Sequence, residues 1–300
     1  MYPVYKFLEK KQKCQDINIA FPPQHQEQHP GLEHTMEPKP ISENPYYQAS
    51  GKLKDRVAII TGGDSGIGRA IAYAYAKEGA DVVISYLYEH QDAQETKSRI
   101  EQIGRKCLLV PGDLQQEKMS YTVVQQAVHH FGKIDILVNN HGVQFIQQSI
   151  LDITAEQLDV TFRTNIYSFF YMTKACLPHL KKGSSIINTT SLAAYQGNQE
   201  LIDYSATKGA ILTFTRSLSQ SLLDKGIRVN GVAPGPIWTP LIPSSYSAEK
   251  VATYGTDTSK PPMKRAGQPF EVATSYVFLA SDDASYMTGQ ILHPNGGTIV

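Results

Sequence analysis

Short apolar runs alternate along this chain with longer segments in which apolar residues recur every three or four positions. Seven of the short runs are rich in β-branched residues, which predicts strands at 57–61, 81–86, 106–111, 134–139, 185–190, 228–233 and 290–294. The intervening pattern predicts helices at 68–78, 89–103, 116–131, 155–180 and 204–224. Strands that alternate with helices predict right-handed crossovers and a parallel sheet.

The predicted fold class is therefore α/β, a doubly wound seven-stranded parallel sheet with helices on both faces, of the Rossmann type. In such a sheet the ligand lies at the carboxyl ends of the strands. The pattern contains no internal repeat and no second domain, so we expect one dinucleotide-binding domain over residues 51–300.

Residues 1–50 differ in composition from the rest of the chain. They hold seven of the 17 prolines and one of the 22 glycines, among many glutamines and histidines. Such a segment cannot build a core, so we expect an extended, partly disordered arm that is ordered only where it lies on the body. Its histidines are irregularly spaced and lack Cys or acidic partners, so we expect no metal site.

Composition limits the class of partner. The chain has 300 residues, with 28 Lys and Arg against 28 Asp and Glu, so its formal net charge is zero. This balance gives no electrostatic reason to bind nucleic acid or an anionic membrane, and a small molecule is the expected partner. Cys14, Cys107 and Cys176 are odd in number and far apart, and no early apolar segment forms a signal peptide. We expect a cytoplasmic protein with reduced thiols.

Tyr204 and Lys208 are four residues apart on a predicted helix, so they share a face. A phenol titrates near pH ~10 in water, and a neighbouring cation is the usual means of lowering its pKa. The pair alone is weak evidence, because such pairs on amphipathic helices are usually exposed contacts. A glycine-rich turn earlier in the chain strengthens it.

That turn follows the first predicted strand and precedes the first predicted helix. Its glycines, Gly62, Gly66 and Gly68, would let backbone N–H groups and the positive end of the helix approach a pyrophosphate. The turn therefore predicts dinucleotide binding.

The spacing of this turn, Thr-Gly-x-x-x-Gly-x-Gly, resembles that of the short-chain dehydrogenase/reductase family. The likeness extends over residues 139–142 (Asn-Asn-His-Gly), Ser191 thirteen residues before Tyr204, Asn165, and the segment 234–239. The glycine turn, residues 89–93, residues 238–243 and the Gln/His/Pro-rich arm resemble a bacterial subgroup that includes general stress protein 39 type oxidoreductases.

This resemblance implies hydride transfer between a nicotinamide cofactor and the carbonyl or alcohol group of a small alcohol, sugar or ketone. Tyr204 would exchange the proton, Ser191 would donate a hydrogen bond to the developing oxyanion, and Lys208 would lower the Tyr204 pKa and hold the nicotinamide ribose. Asn165 would position a water that passes protons to the lysine. The alternative function is a non-catalytic NAD(P)-binding regulator.

The resemblance also assigns the residues that contact the cofactor. They are Gly62, Asp64, Ser65, Gly66, Ile67, Gly68, Tyr86, Asp113, Leu114, Asn139, Gly142, Tyr204, Lys208, Pro234, Gly235, Ile237 and Thr239.

Several of these residues have a simpler structural reading. Ser191 could cap a helix, Asn165 could satisfy a backbone carbonyl, and Gly235 could form only a tight loop. Asp113, by resemblance near the adenine, could be a helix N-cap. His141 stands where the family has a small residue, and the sequence does not decide its effect.

The sequence favours NAD over NADP. The end of the second strand, 85–87, carries neither the acidic residue typical of NAD users nor a cation for a 2′-phosphate. Asp64 in the glycine turn would repel that phosphate, although His90 or Arg69 could reverse the preference by pointing inward.

The loop 238–263 is expected to cover the site, where Trp238, Tyr246 and Tyr254 could line the substrate pocket or pack the loop on the body. By resemblance, helices 155–180 and 204–224 and residues 286–292 would pair subunits into a homotetramer.

Overall fold

The sheet of this protein has seven parallel strands. The computed structural model describes residues 20–259 and 261–300. Its strands are β1 (Val57–Thr61), β2 (Asp81–Tyr86), β3 (Cys107–Pro111), β4 (Ile136–Asn139), β5 (Ser185–Thr189), β6 (Arg228–Val232) and β7 (Ile291–Leu292). They lie in the order β3-β2-β1-β4-β5-β6-β7. The predicted fold class is confirmed, and the order reverses direction at β1, where β4 pairs on the other side.

Helices cover both faces of this sheet. They are α1 (Gly66–Lys77), α2 (His90–Ile103), α3 (Glu117–Phe131), α4 (Ala155–Phe162), α5 (Ser168–Cys176), α6 (Ala193–Gln196), α7 (Ile202–Ser221), α8 (Ala248–Ala252) and α9 (Pro269–Ala280). Our sequence analysis did not predict α9. Its side chains are buried around most of its circumference, so its apolar residues show little helical periodicity.

The helix predicted at 155–180 is not continuous. A π-helical segment, Arg163–Tyr167, separates α4 from α5, and the last turn is the 3-10 helix Leu177–His179. Single π turns inside α-helices commonly occur at functional sites. Asn165 lies in the middle of this segment.

Alternate residues of each strand pack into two hydrophobic cores, one on each face of the sheet. Ile60 of β1 and Ile84 of β2 belong to one cluster with Tyr276 of α9. The neighbouring residues Ile59 and Val83 belong to the opposite cluster, with helices α3 and α5. Because successive strand side chains point to opposite faces, both faces of a parallel sheet must be apolar and covered.

The arm lies on this body from residue 20 onward. Phe21 stacks on Trp238 with ring centroids 3.7 Å apart, and the Trp238 indole donates to the Pro38 carbonyl at 2.9 Å. Further along, Glu43 pairs with Lys77 at the end of α1 and with Arg99 of α2. Residues 1–19, where our sequence analysis also expects arm, lie outside the described residues.

Candidate active site

The glycine-rich turn joins the end of β1 to the start of α1. Gly62 and Gly66 have φ angles of +62° and +53°, in the left-handed region that favours glycine. A Cβ atom on Gly68 would lie 1.8 Å from the carbonyl oxygen of Gly62. The turn therefore folds back on the helix so tightly that only hydrogen fits at this position, and its backbone is free to approach a phosphate.

A cavity of about 900 Å³ opens beside this turn at the carboxyl ends of the strands. Most residues predicted from the sequence line it. They are Gly62, Asp64, Ser65, Gly66, Ile67, Tyr86, Asp113, Leu114, Gly142, Ser191, Tyr204, Lys208, Pro234, Gly235, Ile237 and Thr239. The glycine turn and the Tyr204–Lys208 pair thus face the same space, although they are far apart in the sequence.

Tyr204 and Lys208 lie on one face of α7, as their spacing predicts. The Lys208 Nζ atom lies 5.5 Å from the centroid of the Tyr204 ring and donates to the Thr189 carbonyl at 3.0 Å. Burial lowers the pKa of Lys208 to about 7. Burial also raises the pKa of Tyr204 to about 12, opposed by a hydrogen bond with Ser191.

This result differs from the expected effect of Lys208 on the phenol. We predicted that Lys208 lowers the Tyr204 pKa, but burial raises that pKa, and the group that opposes the rise is Ser191. Both groups are removed from water, which disfavours the phenolate and the ammonium ion alike. Tyr204 is consequently protonated at neutral pH and can donate.

Ser191 forms a local turn before α6 and is not the cap of that helix, whose N-cap residue is Leu192. Its Oγ accepts a hydrogen bond from the Ala193 N–H at 3.1 Å at the start of the short helix α6. The same side chain hydrogen-bonds with Tyr204 and lines the cavity. The turn bond therefore fixes the hydroxyl beside the phenol.

Asn165 does not line the cavity, and its side chain supports the cavity wall from behind. Its Oδ1 accepts from the Val143 N–H and its Nδ2 donates to the Val143 carbonyl, both at 2.8 Å, with a further bond to Thr207 at 3.2 Å. A Cβ on Gly142 would lie 3.5 Å from the Lys208 Nζ. Asn165 thereby fixes the backbone that borders Lys208.

Gly68 and Asn139 also lie away from the cavity surface. Gly68 serves the close packing of the turn described above. Asn139 is fully buried at the end of β4, and its Nδ2 donates to the Asn188 Oδ1 of β5 at 2.9 Å. Its side chain therefore joins two strands, and it does not face the predicted cofactor site.

Two carboxyl groups stand at the other end of the cavity. Asp64 is buried in the glycine turn, and Glu89 is buried after β2. The Glu89 Oε2 accepts from the N–H groups of Leu87 at 3.1 Å and Tyr88 at 2.7 Å. Burial raises the pKa of both carboxyl groups. The charge of Glu89 raises the pKa of Asp64 further, so Asp64 retains its proton more readily than an exposed aspartate does.

Glu89 is a cavity residue that the sequence analysis missed as a cofactor contact. The end of β2 at 85–87 carries no acidic residue, and the chain supplies one two positions later. The signal was present in the sequence as Glu89-His90 before α2. Only the bend of the loop shows that Glu89 returns to the cavity.

The side chains of Arg69 and His90 do not line the cavity, so they do not offset its acidic residues. The Arg69 guanidinium is 3% exposed and does not line the cavity, and it pairs with Glu33 at 2.7 Å, Glu95 at 3.3 Å and Asp92 at 3.4 Å. His90 bonds to the Tyr86 hydroxyl through its Nδ1 at 3.0 Å. Of the described residues that line the cavity, Lys208 is the one lysine or arginine.

Asp113 lines the cavity near these carboxyls. Its Oδ1 accepts from the Gln115 N–H at 2.9 Å, which forms a local turn before α3. The N-cap residue of α3 is Gln116, so Asp113 is not the helix cap that the sequence allowed.

The arm contributes to the cavity wall, which the sequence did not indicate. His29, Pro30 and Gly31 line the cavity, and the Tyr88 hydroxyl donates to the Pro30 carbonyl at 3.0 Å. Burial, reinforced by His25, lowers the pKa of His29, so its ring is neutral near pH 7.

His141 is held between the end of β1 and the start of α5. Its Nδ1 lies 2.7 Å from the Thr61 Oγ1, and its Nε2 lies 2.8 Å from the Ser168 Oγ. Burial and the nearby Lys208 lower the pKa of His141 to about 3. The imidazole is therefore a neutral bridge between the two segments.

The aromatic residues of the loop over the cavity lie in two different environments. Tyr246 and Tyr254 line the cavity, with ring centroids 5.8 Å apart. Trp238 is fully buried under Phe21 of the arm. Gln144 also lines the cavity, and its carboxamide has no hydrogen-bond partner among the described residues.

The residues present fit a dinucleotide. The turn offers a cradle that side chains would fill, and the same cavity is lined by two carboxyl groups and by a tyrosine and a lysine. Over residues 20–259 and 261–300, no group of three His, Cys, Asp or Glu side chains is arranged to hold a metal ion. Within the same ranges, no helix combines the length and apolar character needed to cross a membrane.

Comparison with known proteins gives consistent matches. A family model described as enoyl-(acyl carrier protein) reductase matches residues 62–298. The chain is 57% identical to general stress protein 39 of Bacillus subtilis over 93% of its length and 96% of the relative's. It is 51% identical to a glucose and ribitol dehydrogenase of Daucus carota, over 93% of this chain and 97% of that one.

A solved structure matches the fold at similar coverage. It is a short-chain dehydrogenase from Burkholderia cenocepacia in complex with NADP, 30% identical, with a TM-score of 0.75. The match covers 82% of this chain and 98% of the other.

Proposed function

Because this chain belongs to the short-chain dehydrogenase/reductase family and is an NAD(P)-dependent oxidoreductase, we propose that it uses NAD in preference to NADP and acts on a small hydroxyl or carbonyl compound through Tyr204. The observation that carries the proposal is the meeting of Tyr204, Ser191 and Lys208 in the cavity that the glycine turn borders.

The glycine turn, Asp64, Glu89 and Asp113 would hold the adenosine and pyrophosphate part of the cofactor, and Lys208 would hold the nicotinamide ribose. When bound, the cofactor supplies or accepts the hydride at its nicotinamide ring. The remaining chemistry belongs to side chains of this protein.

In the reducing direction, the Tyr204 hydroxyl donates its proton to the substrate oxygen. Its raised pKa keeps that proton in place at neutral pH until negative charge develops on the oxygen. Ser191, fixed by the Ala193 N–H, donates a hydrogen bond to the same oxygen. In the oxidising direction, the proton moves to Tyr204.

Lys208 and Asn165 prepare this proton transfer. With its pKa lowered to about 7, Lys208 is protonated in part of the molecules at neutral pH. That cation, 5.5 Å from the centre of the phenol ring, favours the phenolate that forms when the proton leaves. Asn165 fixes the Val143 backbone and, with it, the segment next to Lys208. We propose Asn165 as a positioning residue for the lysine.

The preference for NAD rests on the charge around the adenosine end of the cavity. Asp64 and Glu89 offer carboxyl oxygens suited to ribose hydroxyl groups. A 2′-phosphate there would lie beside Glu89, whose two backbone hydrogen bonds stabilise its anion, and no described lysine or arginine would balance it. The NADP complex of the Burkholderia protein concerns a chain 30% identical, so this preference needs its own test.

For the substrate, the cavity favours a small molecule that carries oxygen atoms besides the reacting one. Gln144 is buried and lines the cavity, and its carboxamide has no hydrogen-bond partner among the described residues; Tyr246 and Tyr254 add phenolic groups. Such donors suit a sugar or polyol better than a plain hydrocarbon ketone. The likeness to a glucose and ribitol dehydrogenase supports the same class.

We also propose a cytoplasmic homotetramer. Phe170 of α5 packs on Phe214 of α7 yet is 46% exposed, which leaves an apolar surface on the helices expected to pair. Cys107 and Cys176 are unpaired and buried, as expected in a reducing compartment. A monomer mass in sedimentation analysis would exclude the tetramer.

The experiment that tests the cofactor proposal is a fluorescence titration with NADH and with NADPH. Tighter NADH binding would support the role of Asp64 and Glu89, and tighter NADPH binding would contradict it. In the variant Glu89→Gln, the difference between the dissociation constants for NADH and NADPH should become smaller, because the substitution removes a negative charge and keeps the shape of the side chain. A panel of sugars, polyols and small carbonyls with the preferred cofactor then tests the substrate class.

A further inference from the structure

A glutamate of the arm hydrogen-bonds with the backbone of the glycine-rich turn. Glu33, in the 3-10 turn Glu33–Thr35, is 1% exposed and does not line the cavity. Its Oε2 accepts the Gly66 N–H at 2.6 Å, and its Oε1 lies 2.7 Å from the Arg69 Nη1. The carboxylate thus joins the first residue of α1 to an arginine one turn later.

The arm turn itself is fixed to a second helix. The N–H groups of Glu33 and His34 donate to the two carboxylate oxygens of Asp92 at 2.8 and 2.9 Å. Asp92 lies in the first turn of α2 and is fully buried. Glu33 is therefore anchored by its backbone to α2 and by its side chain to α1.

Gly66 needs this partner. It is the first residue of α1, so its N–H is one of the donors that a helix cannot satisfy internally. Leaving a buried donor unpaired costs about 1–3 kcal/mol. A negative group at a helix N-terminus is also favoured by the helix dipole.

The two neighbours of Gly66, Ser65 and Ile67, line the cavity. Any shift of Gly66 would move them, because all three belong to one tight turn. We propose that Glu33 is a positioning residue for the cofactor: it holds the glycine-rich turn in the conformation that receives the pyrophosphate, so the arm is a working part of the dinucleotide site. This inference rests on dinucleotide binding at the turn.

Glu43 provides a matched control. It is an arm glutamate that pairs with Lys77 at the far end of α1 and with Arg99 of α2, so it ties the arm to the same two helices. In the described part of the chain, its carboxylate bonds to these two cations and not to the glycine turn. Loss of Glu43 removes arm anchoring without removing the partner of Gly66.

The experiment compares wild type, Glu33→Ala, Glu33→Gln and Glu43→Ala, each checked for folding by circular dichroism. The readouts are fluorescence titration with NADH and calorimetric titration with ADP and with adenosine. They are made at pH 8, because burial, against the opposing effect of Arg69, raises the Glu33 pKa to about 7.

We expect Glu33→Ala to weaken NADH and ADP binding about tenfold, the result of about 1.4 kcal/mol. Adenosine, which lacks the pyrophosphate, should change by less than about twofold. Glu33→Gln should recover part of the affinity, because its amide oxygen can still accept from Gly66. Glu43→Ala should bind like wild type.

Unchanged NADH and ADP binding in a folded Glu33→Ala variant would overturn the proposal. Equal losses in Glu33→Ala and Glu43→Ala would also overturn it, since the arm would then only support the fold. If Glu33→Ala does not fold, the affinities of Glu33→Gln decide the question. Weaker binding of ADP with unchanged binding of adenosine supports the positioning role, and wild-type affinity for both ligands rejects it. If the wild-type protein binds no dinucleotide, the assignment of a cofactor site at the glycine-rich turn is refuted as well.

Discussion

The amine of Lys208 lies 5.5 Å from the centre of the Tyr204 ring, one helical turn away, and bonds to the Thr189 carbonyl. Both side chains are buried in the wall of the same cavity. Burial favours the neutral form of each, so the pair keeps its phenol protonated near pH 7. The arrangement suits a group that donates a proton only when a substrate oxygen becomes negative.

Replacement of Tyr204 by phenylalanine should reduce turnover at least about a hundredfold, the usual range for loss of a general acid. The shape of the site is kept, so the dissociation constant for NADH should change little. Steady-state kinetics and fluorescence titration measure the two effects. Tyr195→Phe is the control, because Tyr195 lies on nearby α6 and does not line the cavity. Normal turnover in Tyr204→Phe would refute the mechanism.

Gly68→Ala should destabilise the protein and abolish tight cofactor binding. The added methyl would lie 1.8 Å from the Gly62 carbonyl oxygen, so the backbone of the turn must move. Gly209→Ala is the control, since a Cβ there meets no atom within 4 Å and helix propensity favours alanine by about 1 kcal/mol. Thermal unfolding and NADH titration distinguish the two variants. Equal behaviour would contradict the close-packing argument.

His141 should make the fold sensitive to acid. The unfolded chain takes up a proton on this residue near pH 6.5, but the folded protein does so only near pH 3 because of burial and Lys208. Acidification therefore favours the unfolded state, by about 2 kcal/mol between pH 7 and pH 5. Urea denaturation at both pH values should show this loss in wild type.

The variant His141→Ala isolates that contribution. It lacks the titrating group, so its free energy of unfolding should fall less between pH 7 and pH 5, by about the same 2 kcal/mol. Its absolute stability at pH 7 is expected to be lower, because the bonds to Thr61 and Ser168 are lost. An identical pH dependence in both proteins would show that His141 is not held neutral.

Loss of the Phe21 ring should loosen the arm without unfolding the sheet. Phe21 is buried against Trp238, and truncation of a buried phenylalanine costs about 3–5 kcal/mol where the site cannot collapse. Limited proteolysis of Phe21→Ala should cut the arm faster than in wild type. Gln28→Ala, at an exposed arm position, should be cut at the wild-type rate. Resistance of Phe21→Ala to protease would mean that the Glu33 and Glu43 contacts hold the arm by themselves.

The sequence by itself determined the seven strands and the parallel sheet. Each strand is a short apolar run that must be buried on both faces of a sheet, and such a run is visible within a few adjacent residues. It also determined the special glycines and the spacing of Tyr204 and Lys208, since a left-handed turn and a helix face depend on a few adjacent residues. Only the tertiary structure decided that Glu89 returns to the cavity, that Glu33 of the arm bonds to Gly66, and that burial raises the Tyr204 pKa although Lys208 lies nearby. These outcomes depend on contacts between distant parts of the chain and on the exclusion of water, neither of which leaves a local pattern in the sequence.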